Sequence, residues 1–188
     1  TCINTVRRIL LLMGAVSCLA AGSLMLLASG LPTLNTAADR LAIAGAFPGS
    51  QVPDTTILLS TDEQLILSEL RGSVVILNFW ATWCVPCAIE MPELQQLHEH
   101  YAASGLRIIA INQGEARKAV LDWVEQLQLD YAIGLDPALD VGRRLGVSGL
   151  PTTFIIDSQG IMRQVFYGPV SQTVLIESFT PYIDDPGT

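Results

Sequence analysis

The chain has 188 residues, half of them hydrophobic, with 18 Asp and Glu against 10 Lys and Arg. That length suits one domain of ordinary size plus a targeting segment, because single cores take on the order of 100–200 residues. From residue 33 onward eight Lys and Arg face all eighteen Asp and Glu, a formal charge of −10 that repels phosphate backbones and argues against nucleic-acid binding.

The apolar excess sits at the start. Ile9 to Ala38 contains no Asp, Glu, Lys or Arg, and residues 9–28 are almost wholly apolar. Twenty such residues rise about 1.5 Å each and span roughly 30 Å as a helix, the thickness of a bilayer's hydrocarbon core. Arg7 and Arg8 precede the run, so the retention of positive charge places residues 1–8 in the cytoplasm and everything after the span outside. A cleaved secretory signal is a rival reading, with Ala28-Ser29-Gly30 as the small residues a peptidase accepts. The run is longer than the roughly 7–15 residues of a signal's apolar core, which favours an uncleaved transmembrane anchor. Ala15-Val16-Ser17-Cys18 loosely resembles a bacterial lipobox, but largely apolar sequence continues beyond it. Cys18 is read as a small apolar residue of the membrane helix, and Cys2 is given no role.

Residues 29–50 read as a linker, broken by Pro32, Gly45, Pro48 and Gly49. The domain is expected over 51–183, with 184–188 as a C-terminal tail. Two short β-prone runs, Thr56 to Leu59 and Leu65 to Leu67, flank a polar stretch and predict a hairpin, followed by a turn at Ser68 to Gly72. Val74 to Trp80 is an unbroken β-branched and aromatic run, the pattern of a strand buried on both faces. Helix and strand then alternate: a helix over about 87–103, a strand over 107–112, a helix over about 116–127 and a strand near 131–134. A helix over about 138–145, strands over 153–157 and 161–167 and a final helix over about 171–182 complete the chain. Parallel βαβ units closed by an antiparallel hairpin and a helix give a three-layer α/β domain.

The candidate chemistry lies where the buried strand meets the first helix, in Trp80-Ala81-Thr82-Trp83-Cys84-Val85-Pro86-Cys87. Unpaired N–H groups and the helix dipole stabilise an anion there, so Cys84 is expected to ionise more readily than a thiol in water. Cys87, three residues on, lies on the same helix face, close enough to bridge Cys84 and more shielded, as suits a resolving thiol. Pro86 fits the first helical turn, where its missing N–H would have no partner. Half a zinc site is the competing reading of a C-x-x-C pair, yet structural zinc needs four ligands. Cys2 and Cys18 belong to the N-terminal segment, while His98 and His100, two residues apart, diverge on a helix and read as solvated surface residues. No metal and no cofactor is expected.

Leu70-Arg71-Gly72, Val74 to Trp80, Ala81 to Cys87, Glu90-Met91-Pro92 and Gly149-Leu150-Pro151-Thr152-Thr153-Phe154 together resemble the thioredoxin superfamily. The likeness is greatest to its membrane-anchored TlpA/ResA-like branch, associated with cytochrome c maturation. The resemblance covers about residues 51–183. It implies a thioredoxin-like α/β/α sandwich around a mixed sheet, with the segment 51–70 as an N-terminal hairpin. The helix at 138–145 and its preceding strand would form a central insertion.

The resemblance also assigns roles. Pro151 would be a cis-proline packed beside the dithiol, and Trp83, Pro86, Leu150 and Pro151 would contact substrate. Pro92 would kink the active-site helix. Asn78 stands where thioredoxin has a buried proton-moving aspartate, a task an amide cannot perform. In the ResA-like branch a glutamate three residues after the second cysteine is implicated instead, and Glu90 stands there. It would face the dithiol and exchange a proton with Cys87, against the alternative that it is a solvated acid on the helix surface. The implied partners are a disulfide-containing exported protein, such as apocytochrome c, and a membrane thiol donor of the CcdA/DsbD kind. Two rival functions compete with this reading. A peroxiredoxin-like peroxidase would carry Thr or Ser three residues before its reactive cysteine, where Ala81 precedes Cys84. A copper-delivery module would carry C-x-x-x-C and a distant histidine, and neither pattern is present.

Overall fold

The computed structural model describes residues 47–183, so the expected span at 9–28, nearly all of the linker and the tail lie outside the described residues. Among the described residues no helix is long and apolar enough to cross a membrane. The chain runs β1 (Thr56–Leu59), β2 (Gln64–Ile66), a 3-10 turn at Leu67–Leu70, β3 (Val74–Trp80), α1 (Val85–Tyr101) and β4 (Leu106–Gln113). It continues through α2 (Arg117–Gln126), β5 (Ala132–Asp136), α3 (Asp140–Leu145), β6 (Thr152–Ile156), β7 (Met162–Tyr167) and α4 (Gln172–Ile183). The strands form one sheet in the order β2-β1-β5-β4-β3-β6-β7. β3, β4 and β5 are parallel, while β6, β7 and the N-terminal hairpin join antiparallel.

All seven residues of β3 are buried between β4 and β6, which is why its sequence shows no polar alternation. Because successive side chains point to opposite faces, residue parity sorts the two sides of the sheet. Val74, Ile76 and Trp80 pack with Met91 and Leu94 of α1, Val120 of α2 and Phe179 of α4. Val75, Leu77 and Phe79 pack with Ile57 of β1, Val141 and Leu145 of α3, and Phe154 of β6. Helices α1, α2 and α4 therefore cover one face and α3 the other, giving the three layers expected. Asn78 has the parity of the α1 face, where its buried amide needs a polar partner.

The hairpin reaches the sheet through β5, with Leu59 opposite Gly134, and Gly134 is in turn opposite Ile111 of β4. A Cβ on Gly134 would lie 2.7 Å from Ile57 Cγ2 and 3.1 Å from Ile111 Cγ1. Gly134→Ala is therefore expected to destabilise the domain by about 1–3 kcal/mol through overpacking, read as a lower urea midpoint at unchanged slope.

Two strands and one histidine differ from the sequence expectation. β2 ends at Ile66 because Leu67 starts the 3-10 turn, although its N–H still bonds the Thr55 carbonyl in the register of the hairpin. β5 runs on through Asp136, whose buried carboxylate accepts from Gln113 Nε2 and from the N–H groups of Asp140 and Gly142, tying the strand end to α3. His98 is half-buried rather than solvated: its ring meets Tyr131 edge-on with centroids 6.2 Å apart, and it lies 3.8 Å from Asp130. His100 is exposed.

Candidate active site

β3 ends at Trp80 and α1 begins at Val85, so the cysteine motif lies at the carboxyl edge of the parallel strands, where α/β sheets bind their ligands. Cys84 is the N-cap residue of α1. Its backbone is extended, and its Sγ accepts the Cys87 N–H at 3.3 Å. This sulfur stands where serine or aspartate oxygens commonly cap helices, and the same amide stabilises negative charge on it. Pro86 occupies the first turn without loss of an intrahelical bond. Cys84 and Cys87 are joined by a disulfide with Cα atoms 5.3 Å apart.

Both sulfur-bearing residues are buried, while the neighbouring Trp83, Val85 and Ile89 are 70%, 72% and 69% exposed. Large apolar side chains left this open beside a reactive bond make a surface for an apolar partner segment. Pro86 and Leu150 are half-buried and Pro151 is buried. The Leu150–Pro151 peptide bond is cis. Pro151 immediately precedes Thr152, which pairs with Phe79, so it stands at the same sheet edge as the motif, and its carbonyl accepts the Gly168 N–H.

Glu90 is 3% exposed, which removes the reading of a solvated helix-face acid. Its Oε1 accepts the Thr153 hydroxyl at 3.3 Å, and its Oε2 is buried with no hydrogen-bond partner among the described residues. Burial pushes its pKa up to about 7, against the hydrogen bond from Thr153 and with a smaller upward push from Glu93. Glu90 and Glu93 share a cavity of about 170 Å³ with Pro86, Ile89, Pro169, Val170 and Ser171. Tyr131 is buried nearby, its phenol pushed above the ordinary range by burial and by the Glu90 charge. A carboxyl whose pKa is raised to about 7, one helical turn after Cys87, is suited to take or give the proton that thiol chemistry requires.

A second carboxylate holds the loop before the cysteines. Glu115 accepts from the Thr82 N–H at 2.7 Å, the Thr82 hydroxyl at 2.5 Å and Asn112 Nδ2 at 2.7 Å. Partial burial would raise its pKa, yet these hydrogen bonds together hold it below the usual value. Sequence reasoning gave Glu115 and Thr153 no role. The available signal was a polar residue inside each of two mainly apolar strands, Asn78 in β3 and Thr153, next to Thr152, in β6. Their facing register in β3 and β6 was not readable from either strand alone.

A disulfide bridging the first turn of a helix, with its sulfur on a backbone amide and an apolar surface beside it, can open and close against another disulfide. That chemistry on this sheet is that of a thioredoxin-like thiol-disulfide oxidoreductase. The chain belongs to the AhpC/TSA family, whose model matches residues 48–165. It is 36% identical over 136 residues to the thiol-disulfide oxidoreductase ResA of Geobacillus kaustophilus, covering 71% of this chain and 78% of that one. It is 33% identical over 127 residues to ResA of Bacillus subtilis, covering 68% and 71%. A putative thiol:disulfide interchange protein DsbE from Chlorobium tepidum has a similar structure. Its TM-score is 0.70 at 28% identity over 74% of this chain and 99% of the other. A secreted thiol-disulfide isomerase from Corynebacterium glutamicum gives 0.66 at 32% identity over 71% and 85%.

Proposed function

We propose that this protein is a membrane-anchored, extracytoplasmic reductase of disulfides in exported proteins, working through Cys84 and Cys87. The observation that carries the reading is the placement of Cys84 Sγ on the Cys87 amide at the head of α1, beside the exposed Trp83, Val85 and Ile89. In the reduced enzyme the Cys84 thiolate attacks a substrate disulfide, forming a mixed disulfide and releasing one substrate thiolate. Cys87 then attacks the Cys84 sulfur, releases the second substrate thiolate and leaves the Cys84–Cys87 bridge. Two electrons pass from the dithiol to the substrate. Glu90 takes the Cys87 proton in this step and returns it when the bridge is reopened.

The apolar run at 9–28 behind Arg7 and Arg8 supports an anchor with the domain outside. A protein so placed is reset by a membrane dithiol donor of the CcdA/DsbD kind, and apocytochrome c is the first substrate to test. Trp83, Pro86, Leu150 and Pro151 form the contact surface for the substrate segment. Cys87→Ser, expressed in membranes, is expected to accumulate mixed disulfides through Cys84 that dithiothreitol releases, and their mass identifies substrate and donor together. Absence of adducts alongside continued turnover by the parent protein rules out this order of attack.

A further inference from the structure

Three polar side chains form a line across the α1 face of the sheet. Asn78 Nδ2 of β3 donates to Thr153 Oγ1 of β6 at 2.9 Å, and Thr153 Oγ1 donates to Glu90 Oε1 of α1 at 3.3 Å. Asn78, Thr153 and Glu90 are each at most 3% exposed. A threonine hydroxyl has one proton and two lone pairs. The Asn78 amide occupies a lone pair, so the single proton is left to point at the carboxylate. β3 and β6 hold the first two groups rigidly, since Asn78 and Thr153 are direct partners in the sheet register.

We infer that Thr153, held by Asn78, is the positioning residue that sets the proton equilibrium of Glu90 by donating a fixed hydrogen bond to its ionised form. The inference rests on the reading of Glu90 as the acid–base group of the site. It also gives a physical use to the amide at position 78. A carboxylate there would offer Thr153 an acceptor and draw its proton away from Glu90. The amide offers a donor and directs the proton toward it. Glu90 Oε2 has no hydrogen-bond partner among the described residues, which leaves one oxygen of the carboxyl uncommitted for proton exchange.

The other groups able to act on Glu90 are few. Glu93 on α1 opposes its ionisation, and Tyr131, ahead of β5, is coupled to it. Cys87 lies one turn back on α1 and Cys84 caps that helix, while at the start of α4 Ser171 lines the shared cavity and the Gln172 N–H bonds Glu93 Oε2 at 3.1 Å. None of these donates a hydrogen bond to Glu90. Thr153 is thus the group through which the fold favours the charged form.

The test is the Glu90 titration midpoint, followed through its carboxyl carbon by NMR, together with the pH profile of disulfide exchange. Four proteins are compared: the parent, Thr153→Val, Thr153→Ser and Asn78→Leu. Thr153→Val removes the donor at nearly constant volume and is expected to raise the midpoint by about one pH unit. Thr153→Ser retains the hydroxyl and should restore the parent value. Asn78→Leu leaves the hydroxyl but not its orientation, and should raise the midpoint by less than Thr153→Val does. It also carries the test should the valine variant fail to fold. An unchanged midpoint in the folded Thr153→Val or Asn78→Leu protein overturns the inference. A midpoint that moves while the exchange profile stays fixed supports the hydrogen-bond assignment and instead removes Glu90 from the reaction.

Discussion

Glu90→Gln should be more stable than the parent protein by about 3 kcal/mol above neutral pH and about equal to it in mild acid. The sign follows from where the proton is held. The folded-state pKa lies at about 7 against 4.5 for the ordinary carboxyl, with burial as the leading cause. Between those two values the native state retains a proton that the unfolded chain has lost, so the parent's stability falls as pH rises through that window. Two and a half pH units correspond to about 3 kcal/mol at 1.36 kcal/mol per unit. Glutamine has nearly the same shape and cannot ionise, so its stability lacks this slope. The measurement is a set of urea unfolding curves from about pH 4 to about pH 9, plotted as the difference between the two proteins so that contributions from other groups cancel. A flat difference across the window would mean that Glu90 is not a strained acid in the folded state. Exchange activity separates stability from chemistry, since a proton carrier that is removed costs rate even where the fold gains.

How far this site could be read in advance depended on whether its forces were local. Val74 to Trp80 was legible as a strand because burial on both faces leaves a run that is apolar except for Asn78. The head of α1 was legible because its chemistry is local as well: the cap, the proline and the bridging cysteine fall within four residues. Reading the helix from Cys87 placed its start too late, because the cap is a sulfur rather than one of the oxygens that usually signal a helix start. Glu90 could be flagged only through the family resemblance, and the hydroxyl that meets it, that of Thr153 in β6, is 63 residues further on. The Asn78 partnership spans 75 residues, and the Glu115 hold on Thr82 spans 33. These contacts exist only once the strands have found their register. The same is true of the edge-on contact between His98 and Tyr131, which lie 33 residues apart.

Cys84→Ser is expected to keep the fold and to reduce disulfide exchange on the order of 10³-fold or more, since removing a covalent nucleophile leaves only background reaction. Structure and chemistry separate at this residue because its sulfur does two things. As an N-cap it accepts the Cys87 N–H at 3.3 Å, and a serine oxygen is among the best replacements for that task. As a nucleophile it must carry charge near neutral pH and form an S–S bond, and a hydroxyl does neither. The fair reference is the reduced parent, because the oxidised one also carries a short cross-link between residues three apart, contributing about 2 kcal/mol by loop closure. Circular dichroism and the urea midpoint should match the reduced parent while the exchange rate collapses. The contrast with Cys87→Ser then fixes the order of events. A protein lacking the second sulfur still attacks and is caught on its substrate, whereas one lacking the first retains only Cys87, which lies inside the first turn of α1 without the amide that serves Cys84 Sγ, and captures nothing. Adducts on Cys87 in the Cys84→Ser protein would show that the inner sulfur can attack a substrate by itself, and the amide at the head of α1 would then not be what selects the nucleophile.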